Sequence, residues 1–598
     1  MSTVRAPALY RRALAFTACV CVAGMFLLPP VGAAPAWLPV SQIRVGMTGI
    51  GKTVTLGTKV TEFQVRILGV LKGAGPAGDL VLFRAGGPAI QSVGGLAAGM
   101  SGSPIYLGGR LAGAFSYMFQ ASDPMVGLFT PIADMLKDLP PRAAHLPRTY
   151  AVAPLAVAGR TIRWITLASQ GPPAHLPAAH TPASQTLVAV PAATPLFVSG
   201  FSAAGRAALA RVFEPMGVVP IEGSGPVNLP ASVRLQPGSA IGVGLMQGDI
   251  SAYAIGTLTY MDGSRILAFG HPFTDVGKAR YLLANAAIFQ TVRGQDHNMN
   301  VGAAGSVVGT ISEDRPAAIG GTVGVFPRLF GVRMRVTDAD AGTSRQYNFQ
   351  IVTNKEIAPA LVMLGAQTAI ERGLNRSGEG TAEVRMLLHG RGLPHTLERV
   401  NDFYSGNDVA QRALAEVPQA LALLFNNDFA DVSPADMEMD VRVTGDQETA
   451  TITNVAMPTA PVAAGSTLSV RVTIRPFRGQ PQAKDVTLNV PEDFPPGPAV
   501  LVVRAGGTAL PPSSVPGAAV SAASASVQDA PRSLTEAVTA FEQGEKNTDV
   551  VLELVGSPQR SPAQAAPATT PRATGMETTP WVLRGRFQAP VTIEGGSH

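Results

Sequence analysis

Gly99-Met100-Ser101-Gly102-Ser103-Pro104 sets a serine between two glycines, and short apolar runs surround it: Phe63-Gln-Val-Arg-Ile-Leu-Gly-Val-Leu71, Leu80-Val-Leu-Phe83, Pro104-Ile-Tyr106 and Leu111-Ala-Gly-Ala-Phe115. Each run has the length of a strand, and Gly or Pro separates it from the next. Residues 36–140 therefore predict a small β-barrel or sandwich. Small residues on both sides of Ser101 let the chain turn tightly, expose the hydroxyl and aim backbone N–H groups at one point. The same six residues also suit a plain turn between strands, so the reading depends on a partner for the serine.

A serine hydroxyl is a poor nucleophile at neutral pH and needs a base. Of the eight histidines, His271 stands apart in Phe269-Gly-His-Pro-Phe-Thr-Asp275, directly after an apolar strand that ends at Phe269. A strand end is where side chains meet a cleft, although a turn or packing role is the alternative for a single histidine. His175 and His180 lie in Pro/Ala-rich sequence, His598 is terminal, and His145, His297, His389 and His395 lack comparable surroundings. The close pair His175 and His180 shares no structured element, so no metal site is expected. No cofactor is expected either.

The 598 residues exceed what one hydrophobic core can serve. After the serine-bearing block, residues 141–235 read as a connecting subdomain, with Ser202 capping a helix from Ala203 to Val212. A second β-rich block of similar texture spans 236–340 and holds His271. Helical spacing of Ala and Leu over 356–372 and 408–425 marks a mixed connector, 341–429. Alternation in Met437-Glu-Met-Asp-Val-Arg-Val and Leu468-Ser-Val-Arg-Val-Thr-Ile predicts an immunoglobulin-like sandwich over 430–506. Residues 507–598 read as a low-complexity C-terminal tail around a short helix with a capping box, Ser533 to Glu536.

The formal net charge of +5 is small for this length and not gathered into any basic block, which argues against a nucleic-acid partner. Arg5, Arg11 and Arg12 precede an apolar run from Ala13 to Leu28, and small residues follow to Ala34. That pattern predicts a signal peptide over 1–33 and an exported protein of the periplasm or cell envelope. An uncleaved segment would instead keep the protein close to the membrane. Both cysteines, Cys19 and Cys21, lie inside this run, so the cleaved protein would hold no disulfide.

Two stretches resemble the SpoIVB-type serine peptidases: Ala97 through Leu136 around the serine turn, and Ala254-Ile-Gly-Thr-Leu-Thr-Tyr260 through Asp275 around the histidine, with Val308-Gly-Thr-Ile-Ser312 continuing the second. The resemblance covers roughly 36–140 and 240–335. It implies a mainly β, trypsin-like double β-barrel in which Ser101 is the nucleophile and His271 the general base. By analogy with the nucleophile turn of trypsin-like enzymes, the N–H groups of Gly99 and Ser101 would form the oxyanion hole. The expected activity is serine endopeptidase, acting on a protein or peptide substrate, itself included. The alternative is an inactive binding or scaffold protein of the same fold. The order of the halves is swapped, because SpoIVB itself has its histidine first. No PDZ-like segment precedes the module. Where the family's triad aspartate is expected, this chain has Gly86, which leaves Asp275 or Asp79 as candidates for the orienting acid.

Overall fold

Along Val60–Leu71, Phe63, Val65 and Ile67 point inward while Glu62, Gln64 and Arg66 face solvent, the period of two that a strand with one buried face requires. This strand belongs to the first of two barrels in a computed structural model of the chain. The structure describes residues 37–595 except 76–77, 120–121, 138–147, 158–159, 168–184, 193, 231–232, 296, 375, 508–530 and 558–569. The signal peptide over 1–33, His145, His175, His180 and His598 lie outside the described residues.

The first barrel, here the serine barrel, is built from β1 (Thr48–Val54), β2 (Val60–Leu71), β3 (Leu80–Gly86), β4 (Pro104–Leu107), β5 (Arg110–Phe119) and β6 (Val126–Pro131). Antiparallel pairing runs β1-β2-β3-β6-β5-β4 and returns from β4 to β1, which closes the ring. Closure removes the exposed strand edges. Phe83, Phe115 and Phe129 fill it, the Phe83 ring centre 6.0 Å from each of the other two, edge-on to Phe115 and tilted to Phe129.

The histidine barrel repeats the plan with β7 (Ala240–Gly248), β8 (Ser251–Asp262), β9 (Arg265–Ala268), β10 (Gly277–Val292), β11 (Asn298–Arg315) and β12 (Ala318–Val323). Its ring runs β7-β8-β9-β12-β11-β10 and closes from β10 to β7, again antiparallel throughout. The mainly β class and the paired barrels agree with expectation. Strands β5 and β8 are buried on both faces for most of their length; one face of β5 lines its barrel core, and the other packs against the histidine barrel at Leu111 and Ala114 and against strands Arg160–Leu167 and Thr186–Pro191 at Tyr117 and Phe119. Leu111 and Ala114 of β5 cluster with Ala317 and Ala318 of the histidine barrel.

Outside the barrels, the connecting region does not form a unit of its own. Strands Arg148–Val157, Arg160–Leu167 and Thr186–Pro191 extend the sheet of the serine barrel, while Thr194–Ser199 and Val218–Glu222 extend that of the histidine barrel. Ser202 caps Ala203–Phe213 as expected, its side chain accepting from the Gly205 N–H. The histidine-barrel sheet also continues past residue 340, through strands Leu329–Asp338, Thr343–Val352, Gly380–Arg391, Leu397–Ser405 and Ser433–Thr444, with helix Ala358–Leu374 packed on it. A two-layer sandwich follows, drawn from 449–594 rather than 430–506. Strands Asp549–Gly556, Arg572–Thr578, Val582–Arg584 and Arg586–Glu594 of the expected tail complete its two sheets, and Leu501, Val503 and Leu552 share its core with Val470 and Val472. Within the same stretch, helix Leu534–Glu542 has the Ser533 cap on the Glu536 N–H and packs into the core of the histidine-barrel sheet. Among the described residues no helix is long and apolar enough to cross a membrane.

Candidate active site

Ser101 lies in the turn that leads from the two-residue strand Ala97–Ala98 into β4. That short strand pairs in parallel with β11, so the turn enters already anchored on the histidine barrel. Gly99 and Gly102 both take positive φ, +87° and +93°, where a side chain is strained. Three N–H groups of the turn are consumed locally: Met100 donates to Ala97, Gly102 to Phe115 and Ser103 to Met100. The N–H groups of Gly99 and Ser101 stand outside these three bonds. From β8, the Thr257 N–H donates to the Ser101 carbonyl at 2.8 Å and the Thr259 hydroxyl to the Gly102 carbonyl at 2.8 Å.

Gly102 is fixed by this contact. A Cβ added there would stand 2.0 Å from the Thr257 carbonyl oxygen and 2.6 Å from the Phe269 nitrogen, both backbone atoms that cannot swing aside. Gly102→Ala is expected to destabilise the protein on the order of 3 kcal/mol. Gly263→Ala, also at positive φ but with nothing within 4 Å of the new Cβ, should cost only about 1 kcal/mol. Denaturant titration of the two variants measures the difference, and equal costs would contradict the close approach of the barrels.

His271 lies between β9 and β10, in a loop marked by left-handed backbone at Phe269 (φ 69°), Gly270 (φ 72°) and Asp275 (φ 58°). A left-handed phenylalanine costs energy that surrounding packing must offset. Here the ring is fully buried, 5.7 Å from the His271 ring and 6.3 Å from that of Phe273. The loop is clamped from both barrels. Thr130 of β6 donates to the Gly270 carbonyl at 2.7 Å, and Gly270 packs on Ala114 and Ser116 of β5. From β11, the buried Asp314 carboxylate accepts from the N–H groups of Phe273 (2.7 Å), Thr274 (2.7 Å) and Asp275 (3.1 Å) and from the Thr274 hydroxyl (2.9 Å).

The turn and the loop thus meet at the interface of the barrels: Thr257, bonded to Ser101 through its N–H, accepts from the Phe269 N–H through its carbonyl. Ser101 is 0% and His271 1% exposed, and neither Ser101 Oγ nor His271 Nε2 has a hydrogen-bond partner among the described residues, each other included. Buried polar atoms are rarely left so. His271 Nδ1 lies 2.7 Å from the Pro272 carbonyl. A carbonyl only accepts, so Nδ1 carries the proton and the lone pair of the neutral ring is on Nε2. Burial lowers the His271 pKa to about 4, against the opposing pull of the Pro272 bond. Asp314 is shifted upward by burial despite its hydrogen bonds.

The candidate acids lie elsewhere. Asp275 is exposed at the far end of the loop, where its charge helps burial raise the Tyr117 pKa. The partner at His271 Nδ1 is the carbonyl next in the chain, not the Asp275 carboxylate. Asp79 closes the turn before β3, accepting from Lys72 Nζ and the Gly73 N–H at 2.8 Å each. Asp314 gave no signal in Ser312-Glu-Asp-Arg315, because three charged or polar neighbours at a strand end ordinarily read as solvated. Thr130, Thr257 and Thr259 are equally anonymous in sequence. Elsewhere His389, Asp436 and Glu438 bring ligand atoms together, but Arg333 already bonds both carboxylates.

No curated protein and no solved structure matches this chain. The family model SpoIVB peptidase S55 matches residues 37–136, so the barrel that carries Ser101 is related to the SpoIVB-type serine peptidases.

Proposed function

We propose that the protein is an exported serine endopeptidase that cleaves itself or other envelope proteins. The observation that carries this reading is the pair of unpartnered reacting atoms, Ser101 Oγ and His271 Nε2, supplied by opposite barrels to one interface. In the proposed reaction Nε2 takes the Ser101 proton as Oγ attacks the peptide carbonyl, and the Gly99 and Ser101 N–H groups bind the oxyanion. The imidazolium then gives the proton to the leaving amine, and water attacks the acyl-enzyme by the reverse steps. Pro272 fixes the tautomer, the task an aspartate performs in the usual triad, but a neutral carbonyl stabilises the imidazolium less than a carboxylate does. Because the pair is sealed in this conformation, the loop from Phe269 to Asp275 must move before substrate reaches Ser101. Asp275, at the exposed end of that loop, is then the acid best placed to approach His271.

The sealed pair also favours a second reading, a binding or scaffold protein that retains the fold without turnover. A fluorophosphonate probe separates the two. The peptidase reading expects a covalent adduct mapped by mass spectrometry to Ser101 and lost in His271→Ala. No adduct on Ser101 after prolonged incubation would establish the scaffold reading. The pH profile gives a further check. The base acts only when neutral, so kcat/KM should hold as pH falls below the ordinary histidine range and decline toward about 4. An acid limb near 6.5, the unperturbed histidine value, would contradict a buried base.

A further inference from the structure

Beside the histidine barrel a cleft of about 950 Å³ opens where β10 begins, β11 ends and the chain passes Arg328, Lys355 and Arg391. Five cations line it, these three with Lys278 and Arg280. All five are exposed, and among the described residues none of their side chains has an ion-pair or hydrogen-bond partner. On the neighbouring strands Arg333, Arg335 and Arg385 are paired across the sheet with Glu438, Asp440 and Glu398. Of the carboxylates in the cleft, Glu313 is held by Arg315 at 2.7 Å, leaving only Glu356 and Asp431 against five positive charges.

A second cavity of about 230 Å³ is mostly apolar, lined by Leu136, Tyr260, Ile266 and Leu267, with the Asp262–Arg265 ion pair and Glu313 also on its wall. Ser312 and Glu313 border both cavities, so the two adjoin. Both also flank the His271 loop: Ile266 and Leu267 lead into Phe269, Lys278 follows Asp275, and Glu313 precedes the Asp314 that holds the loop.

We infer that this surface docks an extended acidic polypeptide segment, an apolar side chain filling the pocket and its carboxylates entering the cleft. Resting on the peptidase reading, the inference gives the substrate class: proteins that carry such a segment near the cleaved bond. Concavity suits a single chain rather than the plane of a lipid surface, and the two carboxylates inside the cleft would repel a continuous anionic layer. Unpaired cations with exposed side chains gain most from a partner that brings its own carboxylates, and the gain should weaken with salt.

The test uses the full chain as Ser101→Ala, so that binding is read without turnover. A fluorescent peptide with a leucine next to four glutamates is titrated by anisotropy, against the same peptide with glutamines. Binding at least tenfold tighter for the glutamate peptide is expected, falling with added salt and lost in Arg328→Glu/Lys355→Glu, whose exposed positions leave the fold intact. Equal binding of both peptides, or unchanged binding in the double variant, would overturn the inference. So would capture of anionic phospholipid vesicles with no binding of the peptide. Fluorophosphonate labelling of the wild-type chain is scored separately, so failed catalysis and failed docking give different results.

Discussion

Ser101→Ala is expected to abolish peptide hydrolysis and self-cleavage while leaving the protein as stable as before, or more stable by about 1 kcal/mol. The two effects have one cause. Ser101 Oγ is fully buried and bonded to nothing among the described residues, so in the folded protein it forfeits its hydration without return. Alanine removes that penalty and leaves the turn intact, because the bonds of the turn run through backbone groups and the Ser103 hydroxyl. Hydrolysis has no such reserve. Without the nucleophile only the oxyanion N–H groups and substrate binding remain, and the loss should reach about 10⁴-fold or more. A serine kept for packing would behave oppositely, losing stability and no activity. Urea titration beside a gel assay of self-cleavage tells the two apart, and cleavage that persists in the variant would remove Ser101 from the mechanism.

What the sequence discloses about this site is what lies within a few residues of the reacting atoms. The glycines around Ser101 and the Phe269-Gly-His-Pro-Phe run are local constraints on backbone shape, so they survive as words in the sequence. The alternation of Phe63, Val65 and Ile67 is likewise local and reports one buried face. Strand β8 gives a weaker signal, since burial on both faces erases the alternation by which strands are recognised. The sandwich boundary was illegible for another reason. Asp549–Gly556 pairs with Gly497–Ala505 across a Pro/Ala/Ser-rich stretch, and such a stretch reads as the start of a tail. Asp314 is hidden most fully. Its partners are about forty residues away, and nothing in the sequence distinguishes a carboxylate that four donors hold in the interior from one in water.

Asp314 is therefore where the second large effect is expected. Its two oxygens satisfy three consecutive N–H groups and one hydroxyl at the end of the His271 loop, all within a buried site. In Asp314→Asn the side chain keeps its size, but an NH₂ group replaces one acceptor and faces donors. Even with the amide oxygen turned to the side that serves Thr274 and Asp275, the Phe273 N–H loses its acceptor and faces the NH₂ group, at a cost of roughly 2 kcal/mol. The loop then keeps fewer ties: the Thr130 bond at Gly270, the Phe269 N–H bond to the Thr257 carbonyl, the Thr274 hydroxyl's bond with the Tyr281 hydroxyl and the packing of Phe269. A displacement of about 1 Å at a base is enough to lower turnover some 10²-fold. Thr274→Val, which removes the hydroxyl and spares the three N–H bonds, should give a smaller loss of both kinds. Rates alone would not separate a displaced histidine from a partly unfolded barrel, so the deciding measurement is an NMR titration of His271. While Asp314 holds the loop, the ring is sealed and titrates near 4. Once the loop is released, water reaches the ring and its pKa should rise toward the free value of about 6.5. A variant that loses activity with His271 still titrating near 4 would show that Asp314 acts on something other than the placement of the base.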